Sequence, residues 1–478
     1  MSPLRRLILA VAAVASAACA AQPHAPPEAP APAARTADAA GGRAPFSSTY
    51  APAPSPPTLI RGATVLTGTG ARIDNGDVLI VGGRVQAVGN ALAAPEGALV
   101  VEAAGRWVTP GLIDVHSHMG VYASPGTDAS DDGNEATDPV TSQVWAEHSV
   151  WPQDPGFEAA LQGGVTSMQV LPGSANLIGG RGVTIKVVPA TTYQAMKFPG
   201  APQGLKMACG ENPKRVYGGD DRFPSTRMGN VAGYRQAFAD AKDYMEDWQE
   251  YDAKLAKHEK DRAKVDEDAP APQPPKRDLK LETLAEVMRG NILVHNHCYR
   301  ADEMATMLDI AREFGYRIAA FHHGVESYKV ADRLAAEGVC GALWADWWGF
   351  KMEAYDGIQE NLALVDFPQG GCAIVHSDSE EGIQRLNQEA AKAMTRGQRA
   401  GLDIPPERAI RWVTANAAKS LGILEQTGTL EAGKMGDVVV WNGTPFSVYA
   451  LADLVFVDGV LLYDRAQPAP KPRSDFQL

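Results

Sequence analysis

The chain has 478 residues, few cysteines, no excess of basic residues and only a short apolar run at its N-terminus. Acidic residues outnumber lysine and arginine by 57 to 44. The net charge of −13 argues against nucleic acid as a partner, because phosphate binding needs a basic surface. The apolar run, Leu7 to Ala18, is too short to be a stable membrane span. A chain of this length can form one large domain and a smaller one.

Cysteine is scarce, with five residues in the chain, and none of them forms a pair at close metal-site spacing. Four of them are scattered after residue 200: Cys209, Cys298, Cys340 and Cys372. In a large domain this pattern predicts buried thiols rather than a disulfide framework, although a single bridge stays open.

The first 22 residues have the pattern of a secretory signal, with Arg5 and Arg6 before the apolar run and small residues after it. The alternative is a buried first helix. Ser16 to Cys19 resembles a bacterial lipobox without its usual leucine, so lipid attachment at Cys19 and ordinary cleavage both stay open. We expect an exported bacterial protein, periplasmic or membrane-anchored as a lipoprotein. Residues 23–57, rich in Pro, Ala and Ser, predict a disordered tether.

The remainder of the chain divides into three parts by its pattern of apolar, turn and charged residues. Short β-rich runs separated by turn residues occupy 58–107 and again 427–465, and these two groups could pair into one small β domain. Between them, over 108–426, strand-like runs alternate with helical stretches, which predicts parallel strands covered by helices. A charged helical insertion at about 231–280 ends in a Pro-rich acidic loop. It is interpreted as a solvated helical hairpin, with a lid or a partner surface as the alternative.

The strongest motif is the run from Pro110 to His118, which ends in His116 and His118. On an extended strand these two side chains share one face, so both imidazoles can reach one metal ion. Three further strand-like runs end in ligand-type residues. The histidines at the four strand ends are seven of the ten in the chain: His116, His118, His295, His297, His322, His323 and His376. This concentration predicts a metal site at the end of a barrel, where barrel active sites lie.

These motifs resemble the amidohydrolase superfamily, specifically the branch with imidazolonepropionases and Xaa-Pro dipeptidases. The resemblance covers roughly residues 58–465, and its most specific parts are the stretches 108–118 and 414–437. It implies an α/β fold: a (β/α)8 TIM barrel with a small β-sandwich domain formed from the N- and C-terminal segments.

The resemblance also implies a set of metal ligands. His116 and His118 match the ligands on barrel strand 1, His295 that on strand 5, and His323 that on strand 6, with His322 as its alternative. Asp378 matches the aspartate after strand 8, which binds metal and takes a proton from water. A bridging anion between two metals would be Glu211, or else a carbamylated Lys206. If Glu211 only orients a neighbour, the site holds one metal.

Two loops are expected to shape the substrate pocket. Candidate substrate-binding residues, some of them suited to a carboxylate, are Ser174, Asn176, Lys214, Arg215, Tyr217, His297 and Arg300. For the basic residues among them, structural pairing with acids is the alternative.

The expected chemistry is hydrolysis of a C–N bond in a small, carboxylate-bearing amide by metal-activated water. Asp378 and His323 would be the catalytic side chains, for proton transfer and carbonyl polarisation. One or two divalent ions are implied, zinc first, with iron, manganese or cobalt as alternatives. A dipeptide, an N-acyl amino acid or a cyclic amide fits such an enzyme, and an oligomer is compatible with it. The rival functions are a deaminase or lactonase with the same site, and a non-catalytic periplasmic binding or scaffold protein.

Overall fold

The structure is a computed structural model that describes residues 46–262, 270–347 and 349–467. The predicted signal, Cys19 and most of the predicted tether lie outside the described residues. The last part of that tether, residues 46–57, is packed against the fold, which corrects the expectation of disorder there. The Tyr50 hydroxyl donates to Asp458 over 2.5 Å, and the Ser48 hydroxyl donates to the Lys197 carbonyl over 2.6 Å. Hydrogen bonds of this kind are not visible in a Pro- and Ala-rich composition.

The chain begins its regular structure with strands that do not belong to the barrel. They are β1 (Thr58–Leu66), β2 (Arg72–Val81), β3 (Arg84–Gly89), β4 (Leu99–Glu102) and β5 (Trp107–Pro110).

Eight further strands form the barrel sheet, in chain order around it. They are β6 (Leu112–Ser117), β7 (Val165–Val170), β8 (Ile178–Lys186), β9 (Gln203–Ala208), β10 (Ile292–Cys298), β11 (Ile318–His323), β12 (Cys340–Leu343) and β13 (Ala373–Val375). The sheet closes where the Asp378 amide donates to the His116 carbonyl over 3.0 Å. The predicted barrel is confirmed, except that β8 runs antiparallel to both neighbours. Only residues 171–177 join β7 to β8, too few for a crossover between parallel strands.

Helices cover the outside of the barrel. They are α1 (Pro155–Gln162), α2 (Glu211–Gly218), α3 (Arg227–Arg262), α4 (Leu279–Met288), α5 (Ala301–Phe314), α6 (Ala331–Glu337), α7 (Asn361–Asp366), α8 (Leu386–Arg399), α9 (Pro406–Ala409) and α10 (Ala415–Ser420). No helix among the described residues is long and apolar enough to cross a membrane.

The insertion differs from the predicted solvated hairpin. It contains one helix of 36 residues, α3, whose first half packs on the barrel layer. Tyr234 and Phe238 are buried there, and Phe238 stacks on Tyr316 with ring centroids 4.3 Å apart. The same cluster contains Leu205 and Met207 of β9. Because side chains alternate along a strand, Lys206 between them points to the opposite face, into the barrel.

The chain returns to the first group of strands after the barrel, with β14 (Val438–Trp441), β15 (Ala452–Val457) and β16 (Val460–Asp464). β14 pairs with β5, so both chain segments join in one mixed eight-stranded sheet, as the sequence predicts for a composite β domain. Val439 and Trp441 pack with the barrel cluster, whereas Val438 and Val440 pack within the small domain. The strand is apolar at every position because both of its faces are buried.

The four scattered cysteines form two disulfides, which corrects the prediction of free thiols. Cys209 pairs with Cys298, and Cys340 pairs with Cys372. The partners are 89 and 32 residues apart in the chain. Cys209 directly follows β9 and pairs with Cys298 of the neighbouring β10, and Cys372 directly precedes β13 and pairs with Cys340 of the neighbouring β12. Only the sheet order brings them together.

Candidate metal centre

The strand 1 histidines and the aspartate after strand 8 meet at one end of the barrel. The Asp378 carboxylate lies 3.5 Å from His116 Nε2 and 3.2 Å from His118 Nε2. His118 is held from behind by the Leu171 carbonyl, 2.8 Å from its Nδ1. Ligand atoms of the three residues lie within 4.8 Å of one another, close enough to bind one ion. The sequence predicts this grouping of His116, His118 and Asp378.

A second group of donors shares His116 with the first. His116, His323 and His376 also offer ligand atoms within 4.8 Å of one another. His323 Nδ1 and His376 Nδ1 are buried and have no hydrogen-bond partner among the described residues. A buried polar atom without a partner is costly, so a cation at these nitrogens fits the donor set. His376 was not among the predicted ligands. Its position two residues before Asp378, at the same strand end, could have identified it as a candidate ligand.

Both predicted catalytic residues have left-handed backbone conformations. φ is +69° at His323 and +51° at Asp378, directly at or after the ends of β11 and β13. Non-glycine residues adopt this region rarely, and such strain is concentrated at functional sites. At Asp378 the bond from its amide to the His116 carbonyl helps to hold the conformation.

The two histidines of β10 have different neighbours. His295 Nδ1 lies 2.9 Å from His322 Nε2, and the other nitrogen of His322 lies 2.8 Å from His116 Nδ1. His297, predicted to bind substrate, instead lies beside His323, with ring centroids 4.6 Å apart. The structure therefore places His297 next to the donor groups and separates His295 from them by His322.

The two candidates for the bridging anion are far from equivalent. Lys206 is fully buried, and its Nζ lies 3.5 Å from His116 Nε2 and donates to the Pro172 carbonyl over 3.0 Å. Glu211 begins α2, and its carboxylate lies 3.2 Å from Lys351 Nζ. The contact with Lys351 gives Glu211 a partner outside the donor groups, whereas Lys206 lies directly at His116, so the geometry favours Lys206.

Burial sets the charge of the centre. Desolvation lowers the pKa of His295 to about 3 and that of His376 to about 4, and it lowers the pKa of four other histidines well below 6.5: His116, His297, His322 and His323. They are therefore neutral at pH 7, the form that binds metal. Burial also lowers the pKa of Lys206 to about 8.

Asp378 behaves differently from these histidines. Burial by itself raises its pKa, but the hydrogen bond from His118 and nearby positive charge bring the pKa below its ordinary value. It is therefore an anion at neutral pH.

Few of the predicted substrate-binding residues reach the centre. Ser174 does, because its hydroxyl lies 3.0 Å from His297 Nδ1. Asn176 is buried and donates to backbone carbonyls, and the Tyr217 hydroxyl donates to the Asp138 carbonyl over 2.8 Å, so both hold loops in place. Arg300 pairs with Asp302 at 3.0 Å, the structural alternative.

Lys214 and Arg215 lie on α2, and Arg215 is exposed. Neither is among the residues that the structure brings to the centre.

The loop after β12 supplies neighbours that the sequence analysis did not identify. Trp344 stacks on His323 with ring centroids 4.3 Å apart. Lys351 lies 3.2 Å from Asn212 Oδ1 and 4.2 Å from the centroid of the Tyr299 ring. The signal for them was an aromatic-rich loop directly after a barrel strand, the position from which active-site loops arise.

Comparisons with known proteins identify the class to which this barrel and its donor groups belong. The model of the Amidohydrolase family matches residues 373–462. A crystal structure of an amidohydrolase from Thermotoga maritima MSB8 is 35% identical, with a TM-score of 0.74, over 85% of this chain and all of that one. The chain therefore belongs to the amidohydrolase family and is a hydrolase.

Two curated relatives are similar over part of their length. Amidohydrolase tasK of Hapsidospora irregularis is 32% identical over 458 residues, which are 87% of this chain but 44% of that protein. A dihydroorotase of Geobacter sulfurreducens is 32% identical over 130 residues, 27% of this chain and 25% of that protein. The chain thus spans less than half of the length of these curated relatives.

Proposed function

We propose that this hydrolase is metal-dependent and cleaves a C–N bond in a small, carboxylate-bearing amide. The observation that carries the proposal is the convergence of His116, His118 and Asp378 within 4.8 Å at the end of the barrel. A dipeptide, an N-acyl amino acid or a cyclic amide is the expected substrate. The resemblance to imidazolonepropionases and Xaa-Pro dipeptidases belongs to this proposal.

The proposed ligands of a first ion are His116, His118 and Asp378. His116, His323 and His376 are the proposed donors for a second ion, and His297 lies beside His323. When bound, a divalent cation lowers the pKa of water and polarises a carbonyl group. Imidazole and carboxylate donors suit zinc, and also iron, manganese or cobalt.

Lys206 is the bridging candidate that the geometry supports. A lysine with its pKa lowered to about 8 has a larger neutral fraction at pH 7 than an ordinary lysine. The neutral Nζ can add to the carbon of CO₂ and lose one proton, which gives a carbamate anion. That anion would offset the positive charge of two ions and would replace an unpaired amine with a paired group.

Asp378 is the proposed proton carrier. As an anion at neutral pH, it can accept a proton from the attacking water at a carboxylate oxygen. The same oxygen can then deliver the proton to the leaving nitrogen. His118 orients the carboxylate, and His323, stacked on Trp344, is positioned to polarise the carbonyl.

Export to the periplasm, with or without a lipid at Cys19, stays part of the proposal. Two disulfides between neighbouring strands support it, because disulfides persist in oxidising compartments. Cell fractionation of the wild-type chain and a Cys19→Ser variant tests it. Release of the variant alone from the membrane indicates a lipoprotein, and recovery of both in the cytoplasm contradicts export.

Elemental analysis of the purified protein, together with hydrolysis of dipeptides and N-acyl amino acids, tests the function. We expect about two metal ions per chain and cleavage without ammonia release. A protein that binds no metal after reconstitution contradicts the proposal. Ammonia release from an amine substrate would indicate a deaminase instead.

A further inference from the structure

A cavity of about 390 Å³ lies beside the metal centre, between the loop after β12 and the start of α8. Its lining includes His376 and Ser377, which directly precede Asp378. A group bound in this cavity therefore contacts the chain segment that leads into Asp378, the residue that the proposed function assigns to proton transfer. The volume is in the range of small-molecule sites.

One wall of the cavity is aromatic. Trp344 and Trp347 line it, with ring centroids 5.0 Å apart and planes 21° from parallel. Trp344 is fixed, because its Nε1 donates to the Ser377 carbonyl over 3.2 Å and its other face stacks on His323. Trp347 is 44% exposed, so part of its ring is free to stack on a ligand.

The opposite wall carries charge. Lys392 is paired, at 2.9 Å with Asp346 and 2.7 Å with Glu389. Arg385 also lines the cavity and is exposed. It forms no salt bridge in the part of the chain that the structure describes, although its charge acts on the nearby Glu389 carboxylate. A guanidinium in this position matches a carboxylate in shape and charge. Glu381 and Glu389 line the cavity too, which disfavours a ligand with a second negative charge.

We propose that this cavity binds an aromatic side chain of the substrate, with Trp347 stacked on its ring and Arg385 bound to its carboxylate. The substrate class is then an N-acyl aromatic amino acid, or a dipeptide with an aromatic C-terminal residue. This inference rests on the proposed function, since it specifies the substrate of the same centre. Arg385 takes the role that the sequence suggested for Arg215.

Binding of 3-phenylpropionate tests the cavity without hydrolysis, because this probe has a ring and a carboxylate but no amide bond. Isothermal titration of the metal-loaded enzyme should show about tenfold weaker binding in Arg385→Gln. Trp347→Leu should weaken binding about fivefold. The matched controls are Arg399→Gln, at the far end of α8, and Phe367→Leu, an exposed aromatic outside the cavity, and neither should change the affinity.

Two further probes separate the ring from the charge. Neutral 3-phenyl-1-propanol, which also has no amide bond, should bind equally to the wild type and Arg385→Gln, and hexanoate should bind equally to the wild type and Trp347→Leu. A carboxylate held only by metal would not respond to Arg385→Gln. Unchanged affinity of 3-phenylpropionate in both cavity variants overturns the proposal.

Turnover distinguishes this inference from the function on which it rests. N-acetyl-L-phenylalanine should be cleaved with a lower KM than N-acetyl-L-alanine, and Trp347→Leu should raise KM for the aromatic substrate alone. Cleavage of both amides with equal KM in all variants overturns the subsite and keeps the hydrolase. Probe binding that responds to both variants, with no amide cleaved, keeps the binding site and overturns the proposed function.

Discussion

Two lysines on adjacent barrel strands are both fully buried, but their surroundings differ. Lys186 of β8 forms salt bridges with Asp437 at 2.8 Å and Asp458 at 3.0 Å. Lys206 of β9 has no carboxylate partner of this kind among the described residues and contacts only a carbonyl and the His116 ring. A buried charge is stable only when it is paired, so Lys186 is a structural ion, whereas Lys206 has a lowered pKa and is available for chemistry.

The same contrast holds for the groups around each lysine. Lys186, Asp437 and Asp458 form an ion cluster that joins the barrel to the small β domain, and Thr427 also donates to Asp437 over 2.7 Å. We call the other group the histidine cluster: His116, His118, His297, His323, His376, Lys206 and Asp378. It has nitrogens without partners and two left-handed residues. The buried polar groups of the ion cluster are paired with one another, which indicates a structural role. The histidine cluster contains buried nitrogens without hydrogen-bond partners among the described residues, which indicates a functional role.

The largest expected effect is at the proton carrier of the histidine cluster. Asp378→Asn should lower kcat about 10³–10⁴-fold, because an amide cannot accept the proton. The free energy of unfolding should change by no more than about 1 kcal/mol. Steady-state kinetics and urea unfolding measure both, with Asp309→Asn as an exposed control. Activity close to that of the wild type, with metal retained, would show that another group carries the proton.

Removal of the cation from the ion cluster should mainly affect stability. Lys186→Met leaves two buried carboxylates without their partner, and we expect a loss of about 3–5 kcal/mol in the free energy of unfolding. Urea unfolding checks this, with Lys254→Met as the control. Lys254 pairs with Glu250 and both side chains are exposed, so its loss should cost no more than about 1 kcal/mol. A similarly small loss of stability in Lys186→Met would contradict the structural role that distinguishes Lys186 from Lys206.

The same substitution at the other lysine should have the opposite pattern. Lys206→Met should change the free energy of unfolding by less than about 1 kcal/mol, because the buried amine lacks a compensating charge. It should reduce kcat about 10–100-fold and lower the metal content from about two ions to about one. Elemental analysis and kinetics test this. Retention of both ions would exclude Lys206 as the bridge.

The smallest expected effect is the contribution of one buried histidine, His376, to the pH dependence of the metal-free protein. Burial keeps the pKa of His376 at about 4, below the unfolded value of about 6.5. Between these values the unfolded chain binds the extra proton, so stability is complete above pH 6.5 and is lost as the pH falls towards 4. The expected slope is about 1.4 kcal/mol per pH unit for each such histidine. Urea unfolding at pH 7.5 and 5.5 measures this slope. His376→Gln should reduce the slope by the contribution of one histidine, about 1.4 kcal/mol per pH unit. An unchanged slope in that variant would contradict neutral burial of His376.

Local patterns predicted much of the secondary structure. Residues 301–314 have the helical apolar spacing and form α5, and Val165 to Val170 is the strand that its β-branched residues indicate. The antiparallel direction of β8 was not predicted. It follows from the short loop 171–177, and the sequence does not show that this loop ends at a new strand rather than continuing into a longer crossover. The packing of α3 was missed because its charged second half obscured the buried Tyr234 and Phe238.

The chemistry of the site was predictable at the level of residue type. Histidines spaced two apart at a strand end share one face, which is a property of the strand alone. The roles of His295 and His297 could not be assigned in this way, because both point inwards and differ only in depth within the barrel. The choice between Lys206 and Glu211 likewise depended on where β9 ends and α2 begins.

The sequence by itself determined the alternation of strands and helices, the positions of the strand ends and the ligand-type residues at them. These are local properties, since periodicity and side-chain chemistry act within a few residues. Tertiary structure alone decided which parts of the chain meet: Asp378 at His116, Arg385 and Trp347 in the lining of one cavity, and the cysteines in two bridges. The reason is physical, because distances across a barrel depend on sheet order, register and loop packing, and these arise from contacts between residues far apart in the chain.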